Sequence, residues 1–320
     1  MRKAHPTAKP EELSVSSEAI RRTIREIREV NGQELHSFIM LRGGALIWEE
    51  YFREGEADRL HVTHSVSKSF TSTAMGLAQA QGLLSLDDKL YDYFPEHASL
   101  CDSGFKEEVT LRHLLMMGSG FENNEAAILG LHADMVGPAL ALPVIHKPGT
   151  VFNYYTLGTY LLSVVFNRVC PMGIHCYLRE KLFAPMGFGP SHWNVDNTNC
   201  APLGGFGLFL RAIDMARFGQ LYLQGGVWES QQLLPEDYVT EATSKQISNE
   251  NHPSANPDWT AGYGYQFWRN TFGGFRADGM FGQYIIVLPD SGCVVAMTSH
   301  LEDMQKPLNA VASILIPEIK

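Results

Sequence analysis

Apolar residues recur every three to four positions between 16 and 30, where Ile20, Ile24, Ile27 and Val30 share one side of a helix. That spacing predicts a surface helix packed on something flat. Two strand-like runs follow, 36–41 and 45–51, separated by Arg42, Gly43 and Gly44, which is a hairpin pattern. The stretch 64–86, HSVSKSFTSTAMGLAQAQGLLSL, has no charged residue from Ser69 onward. Its small and apolar side chains (Phe70, Ala74, Met75, Leu77, Ala78, Leu83) surround the axis, so a buried helix is predicted. Interruption by Ser, Thr, Gln and two Gly, and closure by Asp87 and Asp88, argue against a membrane span.

From 90 to about 199 the pattern changes to short helices and loops. TLRHLLMM at 110–117 opens one helix, closed by Gly118, Ser119 and Gly120, and others are predicted at 160–169 and 175–183. A helix at 213–224 follows, with Met215, Phe218, Leu221 and Tyr222 on one face and Gly225 and Gly226 ending it. Late strands are predicted at 264–268, 282–288 and 293–298, then a C-terminal helix around 306–315. The order implies an α+β chain: an antiparallel sheet built from both ends, helices from the two termini on one face, and a mostly helical insertion. Residues 1–90 and 200–320 are expected to form the sandwich domain and 91–199 the helical one, with a site at their seam.

Composition narrows the partners. The 320 residues can bury a substantial core, and 45% hydrophobic with 19% charged content reads as soluble and globular. A net charge of −10, with scattered Lys and Arg, argues against nucleic acid, and no membrane partner is expected. Five cysteines without a C-x-x-C pair suggest neither zinc nor a disulfide framework. The segment MRKAHPTAKPEEL has no apolar run, so a signal peptide is not expected and a cytoplasmic location is. Oligomeric state is not legible.

Chemistry enters through Ser65 and Lys68. Residues three apart share a helix face, so the amine reaches the hydroxyl, and the positive end of the helix dipole favours an alkoxide while lowering the amine pKa. Desolvation lowers a lysine from ~10.4 by up to several units. The same spacing recurs at Ser103 and Lys106 in a charged segment expected to be exposed, and Ser65 alone also reads as an ordinary helix cap. No G-x-S-x-G, H-E-x-x-H, G-x-x-x-x-G-K or G-x-G-x-x-G is present. Twelve histidines invite a metal reading, but none pair at ligand spacing, so no metal or cofactor is expected. Glu122, Glu125 and Asp134 fit either a pocket mouth or a solvated acidic loop.

Four stretches in order carry a resemblance: HSVSKSFTSTAMGLAQAQGLLSLDDKLYDYFPE, TLRHLLMMGSGFE, PGTVFNYYTLGTYLLS and GGFGLFLRAIDMARFGQLYLQGG. Together they resemble the class C β-lactamase-related serine hydrolase family, whose nucleophile box is S-x-x-K, over roughly residues 33–318. The resemblance implies a β-lactamase/transpeptidase-like fold, Ser65 as the acylated serine, Lys68 as its partner and Tyr154 as the tyrosine of the Y-x-N box. Thr156 stands where that box has asparagine, one donor fewer. The third box, K-T-G or H-x-G in the family, is absent; Ala277, Asp278 and Gly279 occupy its place, in a style closer to nylon-oligomer hydrolases and lactamase-like esterases.

The resemblance further implies a small-molecule ester or amide substrate, no cofactor, and an acyl-enzyme on Ser65. The oxyanion would be held by the Ser65 N–H and one from the strand of Asp278, with Thr156 and Gly279 beside the substrate. A carboxylate at Asp278 in place of a cation favours carboxylesterase or amidase over efficient β-lactamase activity. Whether Lys68 or Tyr154 is the base stays open, as does whether the Asp278 carboxylate or only its N–H faces the substrate. A D-amino-acid peptidase or transpeptidase, and a non-catalytic binding module, are the alternatives.

Overall fold

Residues 5–28, 34–102, 104–129, 134–254 and 256–320 are described by the computed structural model. Helix α1 (Ser17–Arg28) buries Ile20, Ile24 and Ile27, as the spacing predicts, and packs on β1 beside the C-terminal helix. Val30 lies outside the described residues, as does Ser103. Strands β1 (Glu34–Arg42) and β2 (Ala45–Tyr51) form the expected hairpin, with Gly43 and Gly44 both at positive φ in its turn. Short β3 (His61–Val62) leads through a 3-10 turn (His64–Val66) into α2 (Ser67–Ala80).

The middle of the chain is mostly helical: α3 (Leu111–Leu115), α4 (Ala126–Leu129), α5 (Val136–Ala141), α6 (Thr156–Val169) and α7 (Ile174–Leu178), the last running on into a π turn (Arg179–Phe183). Strands β4 (His192–Trp193) and β5 (Leu208–Leu210) join β3 in a small sheet of order β3-β5-β4. Then come α8 (Ala212–Leu223), the hairpin β6 (Val227–Trp228) and β7 (Gln231–Gln232), and α9 (Glu236–Thr243). The chain ends with β8 (Trp268–Arg269), β9 (Phe275–Gly279), β10 (Gln283–Leu288), β11 (Cys293–His300) and α10 (Gln305–Ala310).

The main sheet has the order β2-β1-β11-β10-β9-β8, antiparallel throughout. Pairing of β1 with β11, from Glu34↔His300 to Arg42↔Cys293, sews the two ends of the chain together. Every residue of β10 is buried, and every residue of β11 except His300, so both faces of the centre are covered; α8 packs across β1, β10 and β11. The strand expected at 264–268 shrinks to Trp268 and Arg269. Gln266 sits at φ 65 and turns the chain, so that its side-chain amide donates to Leu114 O and Leu115 O of α3 instead of joining a ladder.

Helix α2 is buried as predicted, but by a different route. Ser67, Ser69, Thr71, Ser72 and Thr73 are all buried alongside Phe70, Ala74 and Met75. Each hydroxyl is satisfied: Ser69 Oγ donates to Gln266 O at 2.7 Å, Thr71 Oγ1 to Gly204 O at 2.9 Å, Ser72 Oγ to Tyr265 O at 2.7 Å, and Thr73 Oγ1 to Ser69 O at 2.8 Å. An unmet buried hydroxyl costs ~1–3 kcal/mol, so this belt fixes the rotation of α2 against its neighbours. The helix stops at Ala80, where Gly82 (φ 68) and Leu83 donate back to Gln79 O and Ala78 O, short of the expected end at 86. Among the described residues no single helix is long and apolar enough to cross a membrane.

Candidate active site

Ser65 lies in the 3-10 turn that leads directly into α2, at the mouth of the helix. The residue before it, His64, has φ 48, a sparsely populated conformation for a side chain of that size. It is held by its neighbours: the His64 ring meets Phe281 edge-on at 5.6 Å, and Phe281 stacks on His300 at 4.2 Å. The end of β9 closes on the same turn. A Cβ on Gly279 would lie 2.3 Å from Thr63 O and 3.1 Å from Ser65 N, so only glycine permits this approach.

Lys68, on the first turn of α2, is 2% exposed. Its Nζ is 3.1 Å from Ser65 Oγ, donates to Gly205 O at 2.8 Å, and lies 4.8 Å from the centroid of the Tyr154 ring. Burial pulls the amine down to about 8, against the opposing charges of Glu125 and Asp278. Tyr154 is partly buried, stacks on Trp268 at 5.5 Å, and shares a hydrogen bond with Ser65. Burial, reinforced by Asp278, raises its phenol pKa well above the ordinary value despite that hydrogen bond. Asn123 Nδ2 donates to Tyr154 O at 2.9 Å and anchors the loop that presents the ring.

Thr156 opens α6; a Cβ on Gly205 would come within 2.6 Å of its Cγ2 and 3.4 Å of Lys68 Nζ, which sets Thr156 beside the lysine. Of the three acids weighed from sequence, Glu125 reaches the centre. Its Oε2 accepts from Leu157 N–H at 2.9 Å, capping α6, and its charge is felt by Lys68. Asp134 instead accepts from Val136 N–H at 3.1 Å near the start of α5, and Glu122 is exposed.

Asp278 is the largest revision. Its carboxylate is buried, bonded by Arg276 Nε at 3.0 Å and by the Trp268 indole, so it is neither a bare charge toward substrate nor turned away from the centre. Arg276 is fully buried, donates to Asn270 Oδ1 at 3.1 Å, and lies 4.8 Å from the Trp259 ring. Burial raises the Asp278 pKa and Arg276 opposes the shift.

Lys106 of the second S-x-x-K is buried rather than exposed and donates to Leu100 O at 2.7 Å, a structural role. Sequence reasoning missed Gly205, Trp268 and Arg276; the Gly204-Gly205 pair was the one visible signal of close packing. No histidines pair at ligand spacing along the chain, but His36 and His61, distant in sequence, stack at 5.5 Å.

The family model described as Beta-lactamase matches residues 20–313. The 6-aminohexanoate-dimer hydrolase of Paenarthrobacter ureafaciens is 26% identical over 296 residues, covering 83% of this chain and 73% of the relative. Penicillin-binding protein 4 of Amycolatopsis lactamdurans is 24% identical, covering 89% of this chain and 84% of the relative. A solved structure from Bacillus anthracis, described provisionally as a 6-aminohexanoate-dimer hydrolase, shares the fold with a TM-score of 0.79 at 21% identity, over 99% of this chain and 87% of that one.

Proposed function

Because the chain belongs to the beta-lactamase family and is one of its serine hydrolases, we propose that it cleaves the ester or amide carbonyl of a small molecule through an acyl-enzyme on Ser65, as a carboxylesterase or amidase and not as an efficient β-lactamase. The observation that carries this reading is the 3.1 Å contact of Lys68 Nζ with Ser65 Oγ, in surroundings that hold the amine near neutrality. Neutral Lys68 takes the Ser65 proton as Oγ attacks the carbonyl. Tyr154 is the poorer base, since its surroundings keep the phenol protonated; bonded to the same Oγ, it is suited to hand a proton to the leaving group. The oxyanion is held by the Ser65 N–H and an N–H at the end of β9, assigned to Asp278, with Gly279 allowing the approach. The Thr156 hydroxyl supplies one donor to the substrate. Water then enters and the steps reverse.

Near Gly205, whose carbonyl holds Lys68, Leu203 and Phe206 line a cavity of about 450 Å³ together with Leu129, Met135, Trp193 and Val195 and the polar His192, Asn194, Asp196 and Asn197. Such walls, part apolar and part polar, suit a small molecule of mixed polarity. A relative named for hydrolysing 6-aminohexanoate dimers supports the same substrate class, a small linear amide.

The test is covalent labelling with a fluorophosphonate probe followed by peptide mass spectrometry, beside assays on p-nitrophenyl esters. The adduct is expected on Ser65, and Ser65→Ala should lower ester hydrolysis by on the order of 10⁶ with the fold intact. An adduct elsewhere, or more than trace activity in the folded variant, would overturn the proposal.

A further inference from the structure

The connection from β2 to β3 brings together three side chains that the chemistry at Ser65 does not use. His36 lies on β1, Glu56 opens a 3-10 turn (Glu56–Asp58), and His61 begins β3. They are 9%, 1% and 9% exposed. One nitrogen or oxygen from each lies within 4.8 Å of the others. Among the described residues, neither Glu56 oxygen, neither His36 ring nitrogen, nor His61 Nε2 makes an oriented hydrogen bond. His61 Nε2 nevertheless touches Glu56 Oε1, and His36 Nε2 stands 3.5 Å from Glu34 Oε2. The nearest guanidinium, Arg59, is 3.9 Å from Glu56 Oε2 on a side chain that is itself 57% exposed.

Glu56 is thus buried with only the His61 ring and the largely exposed Arg59 beside it, and a carboxylate so placed is best met by a closer cation. Two neutral imidazoles and a carboxylate form an N2O donor set. Such a set suits zinc and its first-row neighbours, whereas calcium and magnesium prefer all-oxygen sites. Donors at ~2.0–2.2 Å from a shared tetrahedral ion stand ~3–3.5 Å apart, which small side-chain rotations reach from the observed spacing.

We propose that His36, Glu56 and His61 form a binding site for a divalent first-row transition metal of the zinc type, separate from the centre at Ser65. Its role is structural. It ties the 52–60 connection to β1 and to β3, and only Val62, Thr63 and His64 separate His61 from Ser65.

The experiment uses the full chain, stripped with dipicolinate, dialysed and titrated with Zn²⁺ or Co²⁺. The expected result is about one equivalent of zinc bound per chain at micromolar metal by inductively coupled plasma mass spectrometry, with visible cobalt bands of a nitrogen and oxygen site. Saturating zinc should raise Tm by ~3 °C or more. Glu56→Gln and His61→Asn should lose the equivalent while keeping fluorophosphonate labelling at Ser65. If either variant fails to fold, diethylpyrocarbonate footprinting of the native chain decides, since zinc should protect His36 and His61 from modification. Less than about a fifth of an equivalent on the native chain, retention of metal by both folded variants, or no protection of these two histidines overturns the assignment.

Discussion

Lys68 Nζ lies 4.8 Å from the centroid of the Tyr154 ring, and 3.1 Å from Ser65 Oγ. The ring face favours an ammonium by cation–π attraction, and Glu125 and Asp278 favour it by charge, yet the amine settles at about 8, because burial outweighs the two charges. A base at that value is neutral in roughly a tenth of molecules at pH 7. That fraction is available without any metal.

The first prediction concerns pH. Only the neutral amine accepts the Ser65 proton, so kcat/KM for an activated ester should rise with unit slope and level off above an apparent pKa near 8. Stability should move the same way. The folded chain holds Lys68 below its unfolded value, so the unfolded state binds more protons between about 8 and ~10.4, and folding strengthens as pH rises through that window. A rate profile that stays flat from about pH 6 to 9 would remove Lys68 from the base role.

Because Lys68 and Tyr154 meet at one hydroxyl, their losses should not multiply. Lys68→Ala and Tyr154→Phe should each slow acylation by roughly 10² to 10⁴, and the double variant by little more than the worse single one. Single-turnover kinetics with a p-nitrophenyl ester measures this. A fully multiplicative loss would show two independent proton paths.

Gly279→Ala tests the approach of β9 to the nucleophile. The added methyl meets a backbone carbonyl at 2.3 Å and the Ser65 amide at 3.1 Å, neither of which is the end of a flexible side chain. The variant should lose at least ~10² in kcat/KM and a few degrees in Tm, since sub-ångström misplacement is costly at such a centre. Wild-type kinetics in a folded Gly279→Ala protein would show that the strand does not set the nucleophile's position.

What the sequence made legible follows from what is local. Ser65 and Lys68 meet because three positions along a helical chain bring side chains together, and the 43–44 hairpin turn and the α1 face are equally local. Non-local closure was not readable. Gly205 reaches Lys68 across 137 positions, and the hydroxyl belt of α2 finds partners as far as 197 positions away at Gln266. The His36 and His61 stack was missed for the same reason: ligand spacing was sought along the chain, while the pairing of strands and turns set it in space. Strand β9 was legible only through the family resemblance, because FRADG carries an arginine and an aspartate into the interior, a pattern that by itself does not read as a strand until the two are seen to pair.

That pair carries the last prediction. A bare carboxylate ~4 Å from a substrate carboxylate, at an effective dielectric of about 20, would repel it by roughly 4 kcal/mol. Arg276 Nε, 3.0 Å from Asp278 Oδ2, cancels much of this, so the site presents little net charge instead of the cation a β-lactamase offers. Poor turnover of a chromogenic cephalosporin beside good turnover of short p-nitrophenyl esters is therefore expected. Asp278→Asn should change three observables together. The freed charge of Arg276 should raise the ratio of cephalosporin to ester kcat/KM by about tenfold, the effect of ~1.4 kcal/mol. Loss of a carboxylate that holds the Lys68 pKa up should move the acid limb of the rate profile to lower pH. A buried guanidinium stripped of its partner should lower stability by as much as ~3–5 kcal/mol, read as a drop in Tm. Efficient cephalosporin turnover by the native chain would contradict the charge argument at its root, and an unchanged ratio, profile and Tm in the variant would show that Asp278 acts through its backbone alone.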